Sequence, residues 1–241
     1  MLQWTTRPLS PAVDVPVGPC AWRVTMLPRH AAYVQSHPSL VVVGPDDPLD
    51  VLAAAATHVG DLPVMLVMPE PPFARQFAPA IESRMTALRR EHVDILGLHV
   101  TDPAELKGGS LLQTLHAMRD NGRAGHLALA TDDVLAGEWL ATNTAVRVLQ
   151  LPWSETEQSA RYRALPAARE HGMACVTLAA DQTQAPFLLG GTDLVLPVLD
   201  GPLPDDVVPL SPEAMDASWS HYQQTHAPPP PLPRSRPPAD D

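Results

Sequence analysis

The chain has 241 residues, 45% hydrophobic and 18% charged, which suits one large domain with a full core. Its net charge of −11 argues against nucleic acid and anionic membrane surfaces as partners, because basic patches supply affinity for both. No apolar run approaches the roughly 18 residues a membrane helix needs, and the N-terminus lacks a basic start followed by a long apolar stretch. A cytoplasmic protein is expected, with Cys20 and Cys175 as reduced thiols that show no ligand spacing.

In chain order, the first strand-like run is Val15–Cys20, followed by Ser39–Gly44 and the Ala-rich helical stretch Pro48–His58. Val64–Met68 is the third strand. The helix Phe73–Glu91 then places Phe77, Ile81, Met85 and Leu88 at three- and four-residue spacings. The strand Asp94–His99 ends on a histidine. The helix Glu105–Asn121 closes at Gly122, and the strand His126–Ala130 follows. Asp132 is the expected N-cap of the helix Asp133–Asn143. Val146–Leu151, the helix Glu155–His171 closing at Gly172, Ala174–Leu178 and Leu194–Pro197 complete the alternation. Ser211-Pro212-Glu213 starts a last helix with Pro at its first position.

Continuous apolar runs are what parallel strands covered by helices require. Eight of them alternating with helices predict a (β/α)8 barrel of the TIM type over residues 1–226, and the length demands short loops. Residues 227–241 carry a proline run that favours extended polyproline II and forms no packed core. They are expected to be a disordered end, or else a docking peptide for an aromatic-lined groove.

The segment Glu82-Ser-Arg-Met-Thr-Ala-Leu-Arg-Arg-Glu-His-Val-Asp-Ile-Leu-Gly-Leu-His99 resembles a helix and fourth strand of the aldo-keto reductase family. Leu112–Ala130, Val148-Leu-Gln150-Leu and Ala167–Val176 resemble its next units, and Pro16–Trp22 is similar to its opening strand. The order is collinear over most of residues 15–220. The resemblance implies a barrel that reduces carbonyls with NADPH, with a tyrosine as proton donor, a lysine and an aspartate that tune it, and a histidine that orients substrate.

Carried over residue by residue, the histidine matches His99. The lysine's position reads Val67-Met68-Pro69, and the chain's single lysine, Lys107, lies eight residues past the fourth strand. Asp46 or Asp47 falls near the aspartate's place, although two adjacent loop acids are ordinarily just solvated. There is no tyrosine between Gln35 and Ala160, and Tyr33 is expected at the opposite end of the barrel. The resemblance makes Gln150 the cofactor-binding glutamine of strand six. The family's Ser-Asn pair reads Ala130-Thr131, its stacking tyrosine aligns with Thr177, and its phosphate-binding bases are replaced by the acidic stretch Leu196–Asp206. Trp153 is expected to plug an empty cofactor cleft or, less in keeping with the losses, to stack on a planar ligand. No histidine spacing points to a metal.

The expected function is therefore that of a catalytically degenerate barrel: a non-catalytic binding, regulatory or scaffolding subunit with a possible protein partner and no cofactor. NADP remains the cofactor implied if the site is less degenerate. The alternative is a repurposed oxidoreductase acting on a small carbonyl compound, with His99 and Asp102 as the acid–base pair. An open polar cavity lined by His99, Asp46 and Gln150 would favour the enzyme, and a mouth filled by Trp153, Met68 and Leu178 the binding protein.

Overall fold

A computed structural model of the chain describes residues 4–180, 182–192 and 194–228. It opens with an antiparallel hairpin, β1 (Arg7–Ser10) and β2 (Val13–Val17). Eight parallel strands follow: β3 (Ala21–Arg23), β4 (Val41–Val43), β5 (Val64–Met68), β6 (Val93–His99), β7 (Ala124–Ala130), β8 (Val148–Leu151), β9 (Ala174–Ala180) and β10 (Leu196–Leu199). They pair in sequence order and close when β10 meets β3, which completes the expected (β/α)8 barrel.

The helices are α1 (Leu27–Ser36), α2 (Leu49–Val59), α3 (Phe77–Ala87), α4 (Ser110–Asp120), α5 (Val134–Asn143), α6 (Ala164–Glu170), α7 (Ala185–Gly190) and α8 (Pro212–Thr225). All but α8 connect consecutive strands. Three expected helices are shorter than their apolar pattern. Left-handed Gly109 (φ 72) separates α4 from a 3-10 turn over Pro103–Gly108. The pattern before β6 ends at Ala87, ahead of the left-handed Arg89 (φ 55). The Glu155–His171 pattern begins in a 3-10 turn over Ser159–Tyr162. Gly122 (φ 73) and Gly172 (φ 65) adopt the left-handed conformation expected of helix C-caps.

The opening strand differs from expectation for a physical reason. Val13, Val15 and Val17 are buried while Asp14 and Pro16 between them are exposed. That alternation belongs to a half-buried hairpin, not to a strand covered on both faces. The first barrel strand is instead Ala21–Arg23, and the last lies at 196–199, two residues beyond its expected place.

Two apolar layers hold the barrel. The interior contains Ala21, Val42, Met65, Val67, Ile95, Ala128, Ala130, Val148, Val176 and Val198. Hairpin residues Val13, Val15 and Val17 join this cluster and floor it at the N-terminal ends of the strands. Residues of the opposite parity, including Trp22, Leu66, Met68, Leu96, Leu98 and Leu149, pack outward with the helices. Side chains alternate along a strand. The interior series therefore continues upward to Arg23, Gly44, Pro69, His99, Asp132, Gln150 and Leu178, and these form the C-terminal mouth.

The C-terminal proline run lies almost wholly outside the described residues. Among the described residues, no helix is long and apolar enough to cross a membrane.

Candidate functional site at the barrel mouth

The mouth opens into a cavity of about 410 Å³ whose polar lining comes from Arg23, Asp46, Glu70, His99, Thr101, Asp132 and Gln150. Pro45, Pro69, Leu178 and Ala179 supply its apolar wall. This is the end of the barrel where sites on this architecture are built. His99 and Gln150 thus stand where their strands predicted, in one cavity.

The histidine's partner differs from the one expected. His99 Nε2 lies 3.1 Å from Asp132 Oδ2, across from β6 to the residue two past β7. Asp102 is engaged locally instead. Its Oδ1 accepts from Ala104 N at 2.8 Å and caps the turn that follows β6. The expected N-capping role of Asp132 passes to Asp133, whose carboxylate accepts from Leu135 N at 2.8 Å. If Nε2 carries the proton donated to Asp132, Nδ1 is left as the lone-pair nitrogen. A histidine so oriented can serve as a general base or as a hydrogen-bond partner to a ligand.

A cation enters the mouth from an unexpected strand. Arg23 ends β3, lines the cavity, and donates from Nη2 to Asp47 Oδ1 at 2.6 Å. Asp47 is not a solvated loop acid but a buried one, 5% exposed. Its other oxygen accepts from Gly44 N at 2.6 Å. Beneath the loop, buried Arg84 of α3 donates to Gly44 O at 2.6 Å and Pro45 O at 3.1 Å. Burial pulls the Arg84 pKa below its ordinary value, and Asp47 and Asp46 oppose that shift. The guanidinium occupies the space beside Gly44, since a Cβ there would come within 2.3 Å of Arg23 Nη1 and would have to displace it. The loop after β4 is therefore braced by one arginine and itself braces another. The sequence pattern hides Arg23 because it points to a first strand that ends too early. The available signal is the parity of Ala21 and Arg23 on a strand starting at Ala21.

Other expected positions fall elsewhere. Met68 faces the outer helix layer, and Pro69, the residue just past that strand, lines the cavity. Trp153 does not fill the mouth. It is 3% exposed within the outer layer, its ring 5.5 Å from that of Phe187, and its Nε1 has no hydrogen-bond partner among the described residues. Thr177 is fully buried, and its Oγ1 accepts from Val198 N at 2.8 Å where the β9–β10 register shifts. Gln150 donates from Nε2 to Thr177 O at 2.8 Å, so that amide group is already engaged.

All three tyrosines are occupied away from the mouth. Tyr33 Oη accepts from Leu203 N at 3.0 Å, Tyr162 packs on Trp219, and Tyr222 stacks on His226 and reaches Glu157. Lys107 has its backbone in the turn Pro103–Gly108.

The residues present do not fit NADPH. Past β10, Asp200 accepts from Thr25 Oγ1 at 3.2 Å, and Asp205 and Asp206 are exposed. The sequence has no lysine or arginine from 171 to 233. Carboxylates there repel a diphosphate by on the order of 1 kcal/mol for each exposed pair. Among the described residues, no group of three His, Cys, Asp or Glu side chains could hold a metal ion. Cys20 and Cys175 are free and buried.

No protein-family model matches the chain, and no curated protein matches it. Solved structures do. An aldo-keto reductase of Bacillus halodurans in its holo form superposes with a TM-score of 0.75 at 11% identity, covering 90% of this chain and 96% of that one. The glycerol dehydrogenase of Gluconobacter oxydans gives 0.67 at 14% identity, with 96% and 98% covered. An aldo/keto reductase of Klebsiella pneumoniae, solved with NADP and acetate, gives 0.67 at 12% identity, with 92% and 95% covered. At such identities the likeness speaks for architecture alone, and the chain has the barrel fold of the aldo-keto reductases.

Proposed function

We propose that this barrel binds a small polar molecule at its mouth and does not perform tyrosine-driven carbonyl reduction, acting as a binding or regulatory subunit. One joint observation supports the reading. The cavity holds Arg23, His99, Asp132 and Gln150, while Tyr33, Tyr162 and Tyr222 are engaged elsewhere. A phenol is the group whose proton the reductase chemistry spends, and the mouth offers none. The test is a panel of aldehydes with NADPH. No turnover is expected, and ordinary turnover that disappears in His99→Ala would overturn the reading.

A second reading is favoured by the openness of the cavity and by the His99–Asp132 pair. In it His99 is an acid–base group acting on a small carbonyl compound. Exchange of the α-hydrogens of a ketone in D2O, lost in His99→Ala, would support this reading. Absence of exchange across a set of small ketones would remove it.

A protein partner remains part of the proposal through residues 227–241. Unchanged co-purifying proteins after deletion of that segment would remove the docking role.

A further inference from the structure

We infer a second ligand site at the opposite end of the barrel from the mouth, suited to a small monocarboxylate with an apolar body. A cavity of about 380 Å³ lies between β1 of the hairpin, the turn after α6 and the N-terminal ends of β9 and β10. Its size falls within the range of small-molecule sites, about 300–1,000 Å³.

Two guanidinium groups border it. Arg7 Nη2 donates to Thr192 O at 2.9 Å, which fixes the group's direction, and its other N–H donors have no partner among the described residues. Arg169 lies in the last turn of α6, exposed and without an ion-pair partner among the described residues. No carboxylate side chain lines this cavity among the described residues, in a protein of net charge −11 whose mouth carries three. The thiol in its wall adds no charge, since burial pushes Cys175 up to about 12. The charged side chains that line this cavity among the described residues are thus both cationic, whereas most of those at the mouth are acidic.

Much of the remaining lining is apolar, with Leu9, Leu165, Met173 and Leu196 among it. A neighbouring cavity of about 420 Å³ shares Leu165, Arg169 and Leu194 with the first and contains Glu170. That carboxylate directs an anionic head into the first cavity and leaves the shared leucines for the ligand's body. A fully hydrated dianion such as phosphate gains nothing from such a wall, whereas a carboxylate on an alkyl or aryl body uses both halves. Guanidinium groups suit a carboxylate because they present paired N–H donors. This site does not depend on the mouth reading.

The test is calorimetric titration of the full chain with octanoate at low salt, alongside 1-octanol and inorganic phosphate. Octanoate is expected to bind one site, with at least about tenfold loss in Arg169→Gln and in Arg7→Gln and no change in His99→Ala. Circular dichroism of both arginine variants checks that they remain folded. The proposal fails if octanoate gives no saturable heat. It also fails if octanol or phosphate binds as well as octanoate, or if folded Arg169→Gln retains full affinity.

Discussion

The Arg23 guanidinium lies 2.6 Å from the Asp47 carboxylate, and this pair ties the end of the first barrel strand to the loop after the second. Asp47 is almost entirely buried, with its side chain 6% exposed against 20% for Arg23. Removing one partner leaves the other charge largely out of water. Asp47→Ala is expected to destabilise the fold by about 3 kcal/mol, near the value for breaking a buried pair. Urea unfolding measures it, and a loss under about 1 kcal/mol would mean that solvent screens the pair as it does at a surface.

Gly44 gives that pair its space. A Cβ at this position meets Arg23 Nη1 at 2.3 Å, and the guanidinium is the part free to move. Gly44→Ala is thus expected to swing Arg23 off Asp47 and out of the mouth. Its cost should fall by at least half in an Arg23→Ala background, which a double-mutant cycle reads directly. Equal costs in the two backgrounds would place the strain in the backbone instead.

The His99–Asp132 pair should behave differently, because the Asp132 side chain is 72% exposed. Asp132→Ala is expected to change stability by less than about 1 kcal/mol. Its effect should appear in the imidazole. Nitrogen NMR of His99 should show a bias towards the Nε2–H tautomer in the native protein, and that bias should vanish in the variant. The same tautomer mixture in both would show that Asp132 does not orient the ring.

How much of this is legible in the sequence depends on the range of each interaction. Val64–Met68 matches its strand to the residue, since a run buried on both faces announces itself. The hairpin is easily mistaken for the first barrel strand, yet Val13, Val15 and Val17 alternate with Asp14 and Pro16, a pattern that belongs to a single covered face. That displacement carries Arg23 out of view with it. His99 and Gln150 are visible from their strand ends. The partner of His99 is not, because nearness in sequence favours Asp102. In the barrel, His99 is level with Ala130 of the adjacent strand, and Asp132 follows two residues on. Register across strands, set only when the barrel closes, decides which acid meets the histidine.

The buried thiols predict an alkaline weakness. Burial raises Cys175 from 9.0 to about 12 and raises Cys20 in the same direction. Above pH 9 the unfolded chain therefore loses thiol protons that the native state keeps. Fewer protons bound in the unfolded state means that stability falls as pH rises, between about pH 9 and 12. Burial shifts Tyr33 and Tyr222 upward as well, which adds to the fall above pH 10. Unfolding midpoints should decline over this window, and Cys175→Ala should flatten the decline. A slope untouched by that substitution would show that the thiol is solvated in the native state.

The claim that the mouth is not built for hydride transfer rests on the engaged tyrosines and on the acids past β10. Calorimetric titration of the purified chain with NADPH and NADP⁺ tests it most directly. No saturable heat is expected at micromolar concentrations of either nucleotide. Tight saturable binding of NADPH, weakened by substitution of Gln150 or His99, would contradict it.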